Sequence, residues 1–259
     1  MEGCARMSVT VGRILELLER IAPLEKAEAW DNVGLLAGHR DAEVQCVLCA
    51  LDLTQEVLDE ALSVGAQMIV THHPILFRGR KNLCEDDAEG RLLCNLVRAN
   101  IALAAMHTNF DNAHPGVNDA LAQALGLRRI VPLENGMCIG EMDDISLNDF
   151  AAQTAHCLGG PVRVYGEPER KIRRVAVLGG AGEDFVPDAL NAGADVFVTG
   201  EMGYHKGMNA VCDGLCVLEA GHAATEKPAI SLLAGGLQNA ANDVQYRIRV
   251  LCSAQGLFL

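Results

Sequence analysis

The stretch VQCVLCALDLTQEVLDEALSVGAQMIVTHH, residues 44–73, decides the fold class. It begins with an apolar run rich in β-branched residues, which is typical of an interior strand buried on both faces. A helix follows, with Thr54 as its N-cap and Gly65 as its end. A second apolar run then leads to His72 and His73. Strand, helix and strand in this order predict a βαβ unit with a right-handed crossover.

The alternation of strands and helices extends outward from this unit and sets the domain organisation. It continues to residue 126, weakens, and then resumes with further predicted strands and helices. The last helix and strand are placed with the first unit because His222 and Glu226, at the start of that helix, must join candidate metal ligands of the first unit. We therefore predict a first α/β domain over 1–126, completed by 221–259, and a smaller α/β domain over 127–220.

Composition excludes several classes of protein. The chain has 259 residues, of which 50% are hydrophobic, so it can bury a substantial core and is not disordered. A formal net charge of −13 argues against broad nucleic-acid binding. No apolar run is long enough to span a membrane, and the first residues carry no secretory signal. Ten cysteines without a disulfide spacing suit a reducing compartment, so we expect a cytoplasmic protein.

Five metal-ligating side chains occur in three short segments, each of which follows a predicted strand or an apolar turn. The residues are His72, His73, Asp111, His222 and Glu226. Because sites in α/β proteins gather at one edge of a sheet, these side chains are expected to converge. Five donors are too many for one tetrahedral ion that keeps an open position. The pattern therefore favours two ions that share a carboxylate.

The spacing of the ligands assigns them to the two ions. Adjacent strand residues point to opposite faces, so His72 and His73 are predicted to bind one ion each where the strand ends. His222 and Glu226 lie one helical turn apart and can reach the same ion, and Glu226 is long enough to bridge both. His107 could be a further ligand, but a place beside the site, against a ligand or the substrate, is favoured. Imidazole and carboxylate ligands suit two divalent ions of zinc, iron, manganese or nickel.

Two other motifs have plainer interpretations. Cys46 and Cys49 form a CxxC inside an apolar strand, and no second CxxC matches it, so buried packing is favoured over redox chemistry or zinc binding. The GGAG at 179–182 lies between a strand and a helix, as in a phosphate-binding turn. It lacks the spacing of such loops, and Glu183 and Asp184 would repel a phosphate. A tight turn is therefore favoured.

Six motifs, in order along nearly the whole chain, resemble one family. They are WDNVGL (30–35), LDLT (51–54), THHPILF (71–77), HTNFDNAHPGVNDALA (107–122), GADVFVTGEMGYH (193–205) and GHAATE (221–226). Together they are similar to the Nif-three-like dinuclear-metal family, known in part as type 2 GTP cyclohydrolase I homologues. The chain is similar to the short form, which lacks the domain that longer members insert between the two halves.

The resemblance implies two α/β units with mixed sheets flanked by helices, and two divalent ions in the cleft between them. It implies the same five ligands and a homo-oligomer, commonly a hexameric ring. It also implies a metal-dependent hydrolase whose small-molecule substrate is a nucleotide, with water attacking the purine C8 of GTP. In the family's pattern Glu201 and His205 approach the same cleft. Glu201 or His107 is then the expected general base, and His205 the expected proton donor or anion-binding group.

Two other functions stay open on this reasoning. Hydrolysis of a phosphoester or a cyclic amide would use the same ions, because a fold does not settle chemistry. In a different class, the ions would hold together a structural or regulatory assembly that catalyses nothing. A closed coordination sphere would favour that alternative, whereas an open position would favour the hydrolase.

Overall fold

The structure is a computed structural model that describes residues 9–255. By its internal contacts the chain divides into two compact units, one of residues 9–110 with 230–255 and the other of residues 111–229. The residues before 9, where the sequence predicts no secretory signal, and those after 255, which end the first predicted domain, lie outside the described part. Each unit is built on one mixed sheet.

The first unit has a five-stranded sheet in the order β1-β4-β3-β2-β11. Four of these strands run parallel, and the edge strand β1 is antiparallel to β4. In chain order the elements are α1 (Val11–Ile21), β1 (Gly34–Ala37), β2 (Cys46–Ala50), α2 (Gln55–Val64), β3 (Met68–Thr71), α3 (Ala88–Arg98), β4 (Ala102–Ala105), the short α4 (Thr108–Asp111) and, after the second unit, β11. The βαβ unit and the closing strand of the sequence analysis are confirmed.

Local sequence explains the central part of this sheet. Every residue of β2, β3 and β4 is buried, as expected for parallel strands covered on both faces. The hydroxyl of Thr54 accepts a hydrogen bond from the Val57 amide at the start of α2. Gly65 ends that helix in the left-handed conformation, at φ +68°. The chain therefore turns back directly into β3, and two histidines follow the carboxyl end of that strand.

The second unit has a six-stranded sheet in the order β5-β6-β8-β9-β10-β7. Strands β8, β9 and β10 are parallel, and the others are antiparallel to their neighbours. In chain order the elements are α5 (Val117–Ala124), β5 (Arg128–Pro132), β6 (Cys138–Ser146), α6 (Leu147–Leu158), β7 (Arg163–Tyr165), β8 (Lys171–Ala181), α7 (Val186–Asn191), β9 (Val196–Glu201), α8 (Tyr204–Cys212), β10 (Cys216–Glu219), α9 (His222–Asp243) and finally β11 (Arg249–Cys252). The predicted α/β architecture of two mixed sheets flanked by helices is confirmed.

Alternating side chains of the second sheet feed two separate cores. On β9, Val196 and Val198 pack with Leu121 and Phe150, which belong to α5 and α6. Phe197 points the other way and packs in a second cluster with residues of α7 and α8. The period of two along a strand therefore buries both faces under helices. Helix α5 lies with the second sheet, whereas its position in the chain predicts a place in the first domain.

Antiparallel strands occupy the segment where the alternation of the sequence weakens. Strands β5 and β6 form a pair, and the exposed side chains of Asp143 and Asp144 interrupt the apolar pattern of β6. The structure places 222–229, the first part of α9, with the second unit, and 230–243 with the first. Within residues 9–255, no helix is both long and apolar enough to cross a bilayer.

Candidate metal centre

The two histidines after β3 are each held through Nδ1. His72 is buried, and its Nδ1 lies 2.8 Å from the carbonyl oxygen of Met106. A carbonyl can only accept, so Nδ1 carries a proton, and in the neutral ring Nε2 then has the lone pair that binds metals. His73 has the same arrangement, with its Nδ1 2.8 Å from Oδ1 of Asp52. Both rings are therefore set in the tautomer that a metal ligand requires.

His107 joins these two rings and is held by a buried carboxylate. Its Nδ1 lies 2.9 Å from Oδ1 of Asp31, whose side chain is inaccessible to solvent. Burial lowers the pKa of His107 and outweighs the opposing hydrogen bond with Asp31. Burial alone would raise the pKa of Asp31, but hydrogen bonds from Thr108 and His107 reverse this and lower it. The pair thus combines a neutral imidazole with an ionised carboxylate near neutral pH.

The three imidazoles of the first unit form one cluster. His72, His73 and His107 each offer a ligand atom within 4.8 Å of the others. Their ring centroids are 4.9 to 5.5 Å apart. The structure therefore brings His107 as close to the predicted ligands as they are to each other, which fits a direct ligand as well as a neighbour of the substrate.

In the second unit, His222 and Glu226 share the first turn of α9, as predicted. His222 Nε2 lies 3.2 Å from Oε1 of Glu226, and its Nδ1 lies 2.9 Å from Oε1 of Glu201 at the end of β9. Glu226 is almost fully buried, whereas Glu201 is largely exposed. The hydrogen bond with Glu226 is the main cause that raises the pKa of His222 to about 9, and burial opposes it. His222 is therefore protonated near pH 7 in the metal-free protein.

Glycine is required where the end of β8 approaches this pair. Gly180 has φ +68°, and a Cβ there would lie 2.5 Å from Oε1 of Glu226 and 3.2 Å from Nε2 of His222. Its amide donates to the hydroxyl of Thr225 on the same helix turn. The GGAG stretch thus forms a close backbone approach to the two side chains rather than a phosphate cradle. The sequence analysis favours a tight turn here but does not predict this role.

Asp111 and His205 occupy different surroundings. Asp111 is partly buried at the end of α4, one helical turn after His107. His205 is exposed on α8, with its ring 5.2 Å from that of Tyr204. The catalytic roles assigned to Glu201, His107 and His205 stay predictions. Glu201 has a definite contact, because it orients the imidazole of His222.

The CxxC cysteines lie in the interior of the first sheet. Cys46 and Cys49 are both buried in β2. Burial raises the pKa of the Cys49 thiol far above its ordinary value. A buried, protonated thiol is a poor nucleophile and a poor redox group, which supports the packing interpretation.

Asp31 and Asp52 are functional candidates that sequence reasoning missed. Each is the acidic residue of a motif quoted above, WDNVGL and LDLT, and each accepts a hydrogen bond from an imidazole of the cluster. Metal-binding histidines usually donate their second ring nitrogen to a carboxylate or a carbonyl. An acid in a short motif near a strand end was the available signal, but its partner cannot be read from the chain.

Comparisons with known proteins identify the family. The model of Duf34/NIF3 (NGG1p interacting factor 3) matches residues 9–256. A Streptomyces coelicolor protein named GTP cyclohydrolase 1 type 2 homolog is 36% identical, over 93% of this chain and 90% of its own length. A protein of the same name from Clostridium acetobutylicum is 31% identical, over 97% of this chain and 98% of its own.

A solved structure shows the same fold. The Staphylococcus aureus hypothetical protein SA1388 superimposes with a TM-score of 0.93 at 31% identity, covering 97% of this chain and 99% of that one. The chain therefore belongs to the Duf34/NIF3 family, and the resemblance of the six motifs is confirmed.

Proposed function

We propose that this chain is a metal-dependent hydrolase with two divalent ions per subunit, bound by His72, His73, Asp111, His222 and Glu226. The observation that carries the proposal is that Nδ1 of all three histidines in this set is held by an oxygen acceptor. Each Nδ1 lies 2.8 or 2.9 Å from an oxygen acceptor. Metal-ligating histidines regularly hold their second ring nitrogen in this way, and His72, His73 and His222 also belong to groups of side chains that could hold a metal ion.

The donor set fits two ions better than one. It contains three imidazoles and two carboxylates, and Glu226 is buried with a histidine one turn before it. A buried carboxylate can neutralise a dication in a low-dielectric site, where an unpaired charge would be costly. No cysteine belongs to the set, so zinc, iron, manganese and nickel all suit it.

Two ions in such a site supply Lewis acidity and an activated water. The side chains of the chain itself hold and move protons around them. His107 is neutral and held by Asp31, so it can accept a proton from the attacking water or complete a coordination sphere. Glu201 orients His222 and is exposed enough to exchange a proton with solvent. His205 is the proposed donor to the leaving group.

The proposed substrate follows the names of the relatives. Both curated relatives above are called GTP cyclohydrolase 1 type 2 homolog. We extend this to hydrolysis of GTP, in which water adds at the purine C8 and the imidazole ring opens. The subunits are proposed to form a hexameric ring in the cytoplasm.

Metal analysis and turnover by one matched set of variants test the proposal. The metal content of gently purified protein is measured by mass spectrometry, and GTP and a panel of phosphoesters are assayed with each divalent ion. Glu226→Ala should lose turnover by at least about a hundredfold and bind less metal. Glu56→Ala, an exposed acid on α2, should behave as wild type.

The result also separates the hydrolase from the assembly protein. Loss of turnover in Glu226→Ala with an intact oligomer supports the hydrolase. Absence of turnover with every ion and substrate, together with dissociation of the oligomer on chelation, would overturn it in favour of a structural role for the metals.

A further inference from the structure

Two large aromatic side chains of the first unit are exposed side by side. Trp30 is 60% exposed and Phe77 is 46% exposed. Their ring centroids lie 5.7 Å apart at 71°, an edge-to-face pair. Single exposed apolar residues are ordinary, but a paired tryptophan and phenylalanine form a rigid apolar surface that marks a binding site.

This aromatic pair is fixed beside the histidine cluster. The rings of Trp30 and Phe77 each lie 6.2 Å from the ring of His107. Asp31, the neighbour of Trp30, accepts a hydrogen bond from His107. The side-chain amide of Asn32 donates to the carbonyl oxygen of Leu76 at 2.7 Å. The two loops that carry the aromatic rings are therefore tied to each other and to the cluster. The motif WDN has one task for each residue: an exposed ring, a carboxylate for the histidine, and a link between loops.

A cleft opens from this point within the same unit. It has a volume of about 670 Å³, and Asp31 and Phe77 lie among its lining residues. The rest of its wall includes the apolar side chains of Leu76, Leu83 and Val97. Its volume is that of a small-molecule site, and its lining combines these apolar side chains with charged ones.

Two cations give the cleft a preference for anions. Arg78 and Lys81 line it and are exposed, and within residues 9–255 neither forms an ion pair. Arg80 also lines the cleft, but it is bound to Asp87 at 2.6 Å and Glu89 at 3.0 Å. Asp31 keeps its negative charge, but its side chain is inaccessible to solvent and is hydrogen-bonded to Thr108 and His107. The exposed charges that a ligand meets first are thus the cations Arg78 and Lys81, although the whole chain carries −13.

We propose that the Trp30–Phe77 pair and the adjoining cleft form the substrate-binding wall of the His72–His73–His107 cluster, and that they take a planar ring joined to an anionic group. The ring packs on the aromatic pair, and the anion lies near Arg78 and Lys81. This inference rests on the proposed function for the identity of the reactive centre. Binding to the wall, however, needs no metal and no turnover.

Trp30 makes this wall directly observable, because it is the only tryptophan of the chain. Its fluorescence is recorded in the full-length protein, with and without a chelator, while GTP, guanosine or inorganic triphosphate is added. N-acetyltryptophanamide corrects for light absorbed by guanine. We expect saturable quenching by GTP in both states, weaker quenching by guanosine at equal concentration, and none by triphosphate.

Two sets of variants test the ring and the charge separately. Phe77→Leu keeps an apolar side chain and should weaken GTP binding about threefold to tenfold. The double variant Arg78→Gln with Lys81→Gln should weaken it about tenfold or more. The matched control, Arg20→Gln with Arg40→Gln, removes two exposed cations elsewhere in the unit and should leave the affinity unchanged.

Several outcomes would overturn the inference. One is a Trp30 emission that resists iodide before any ligand is added, since another copy of the chain would then cover the wall. Another is quenching that triphosphate reproduces, or that Phe77→Leu and the double variant leave unchanged. Turnover of GTP without any change in Trp30 would reject the wall but keep the hydrolase. Quenching by GTP in the wild-type protein, when no ion supports turnover of GTP, would keep the wall and reject the hydrolase.

Discussion

The pKa values of His107 in the first unit and of His222 in the second are shifted in opposite directions. In the first unit His107 lies among other imidazoles, and burial lowers its pKa. In the second unit His222 lies between Glu201 and Glu226, and Glu226 raises its pKa to about 9. A metal ion would therefore meet a neutral imidazole at His107, whereas it must displace a proton to bind His222.

The two units also differ in how far the carboxylate partners of their histidines are exposed to solvent. Asp31 is inside the first unit and Asp52 is mostly covered, whereas Glu201 is 60% exposed. Water can replace an exposed acceptor but not a buried one, since a buried polar group that loses its partner pays a desolvation cost. The histidines of the first unit are therefore expected to be held rigidly, whereas His222 of the second unit is expected to be held adjustably.

The largest effect should come from Gly180→Ala, which tests whether metal binding tolerates a displacement of the His222 and Glu226 side chains. The added Cβ would lie 2.5 Å from Oε1 of Glu226, so the carboxylate and His222 would both move. We expect metal affinity to fall about a hundredfold in competition titrations with a chromogenic chelator.

Gly193→Ala is the matched control for this substitution. Gly193 has φ +71°, but a Cβ there meets nothing within 4 Å. It should cost about 1 kcal/mol of stability through its backbone alone and leave metal affinity unchanged. If the two variants bind metal equally well, the close approach of Gly180 has no bearing on the site.

A second comparison sets the orienting carboxylates of the two units against each other. Asp52→Ala should lower metal affinity about 30-fold, because His73 loses a mostly covered partner. Glu201→Ala should lower it less than about tenfold, because water can take the place of an exposed oxygen. Asp41→Ala serves as the control, because the Asp41 side chain is 89% exposed. Equal losses of metal affinity in Asp52→Ala and Glu201→Ala would contradict the distinction between rigidly and adjustably held histidines.

The smallest effect concerns the stability that Asp31 gives to the first unit. The folded pKa of Asp31 is lowered, so folding favours the ionised form. Its contribution is therefore fully present above about pH 4 and is lost as the pH falls through the folded pKa. In urea unfolding with a chelator present, Asp31→Asn should cost about 2 kcal/mol at pH 7. The same cost at pH 7 and at pH 3 would show that the ionised carboxylate is not the cause.

Much of the first sheet could be predicted from the sequence because its signals are local. The apolar runs that became β2 and β3, the cap at Thr54 and the left-handed end at Gly65 each depend on a few neighbouring residues. The antiparallel pair β5 and β6 was missed for the converse reason. Asp143 and Asp144 interrupt the apolar pattern of β6, so its pairing with β8 is visible only in three dimensions.

The candidate site divides in the same way. The type and order of the ligands are visible in the chain, and so is the single helical turn from His222 to Glu226. The oxygen partner of each imidazole is not. Asp31 and His107 are 76 residues apart, and the chain between them includes four strands and two α-helices. No local pattern specifies such a pair, because it depends on where two loops meet.

The sequence by itself determined that strands and helices alternate, that parallel strands are buried on both faces, and that imidazoles and carboxylates follow their ends. These properties are set by side-chain periodicity over ten residues or fewer. Only the tertiary structure decided that α5 covers the second sheet, that Gly180 makes room for Glu226, and that Trp30 lies beside His107. Burial and hydrogen bonding between distant segments fix those contacts, since each group is satisfied by whichever partner the packed chain brings to it.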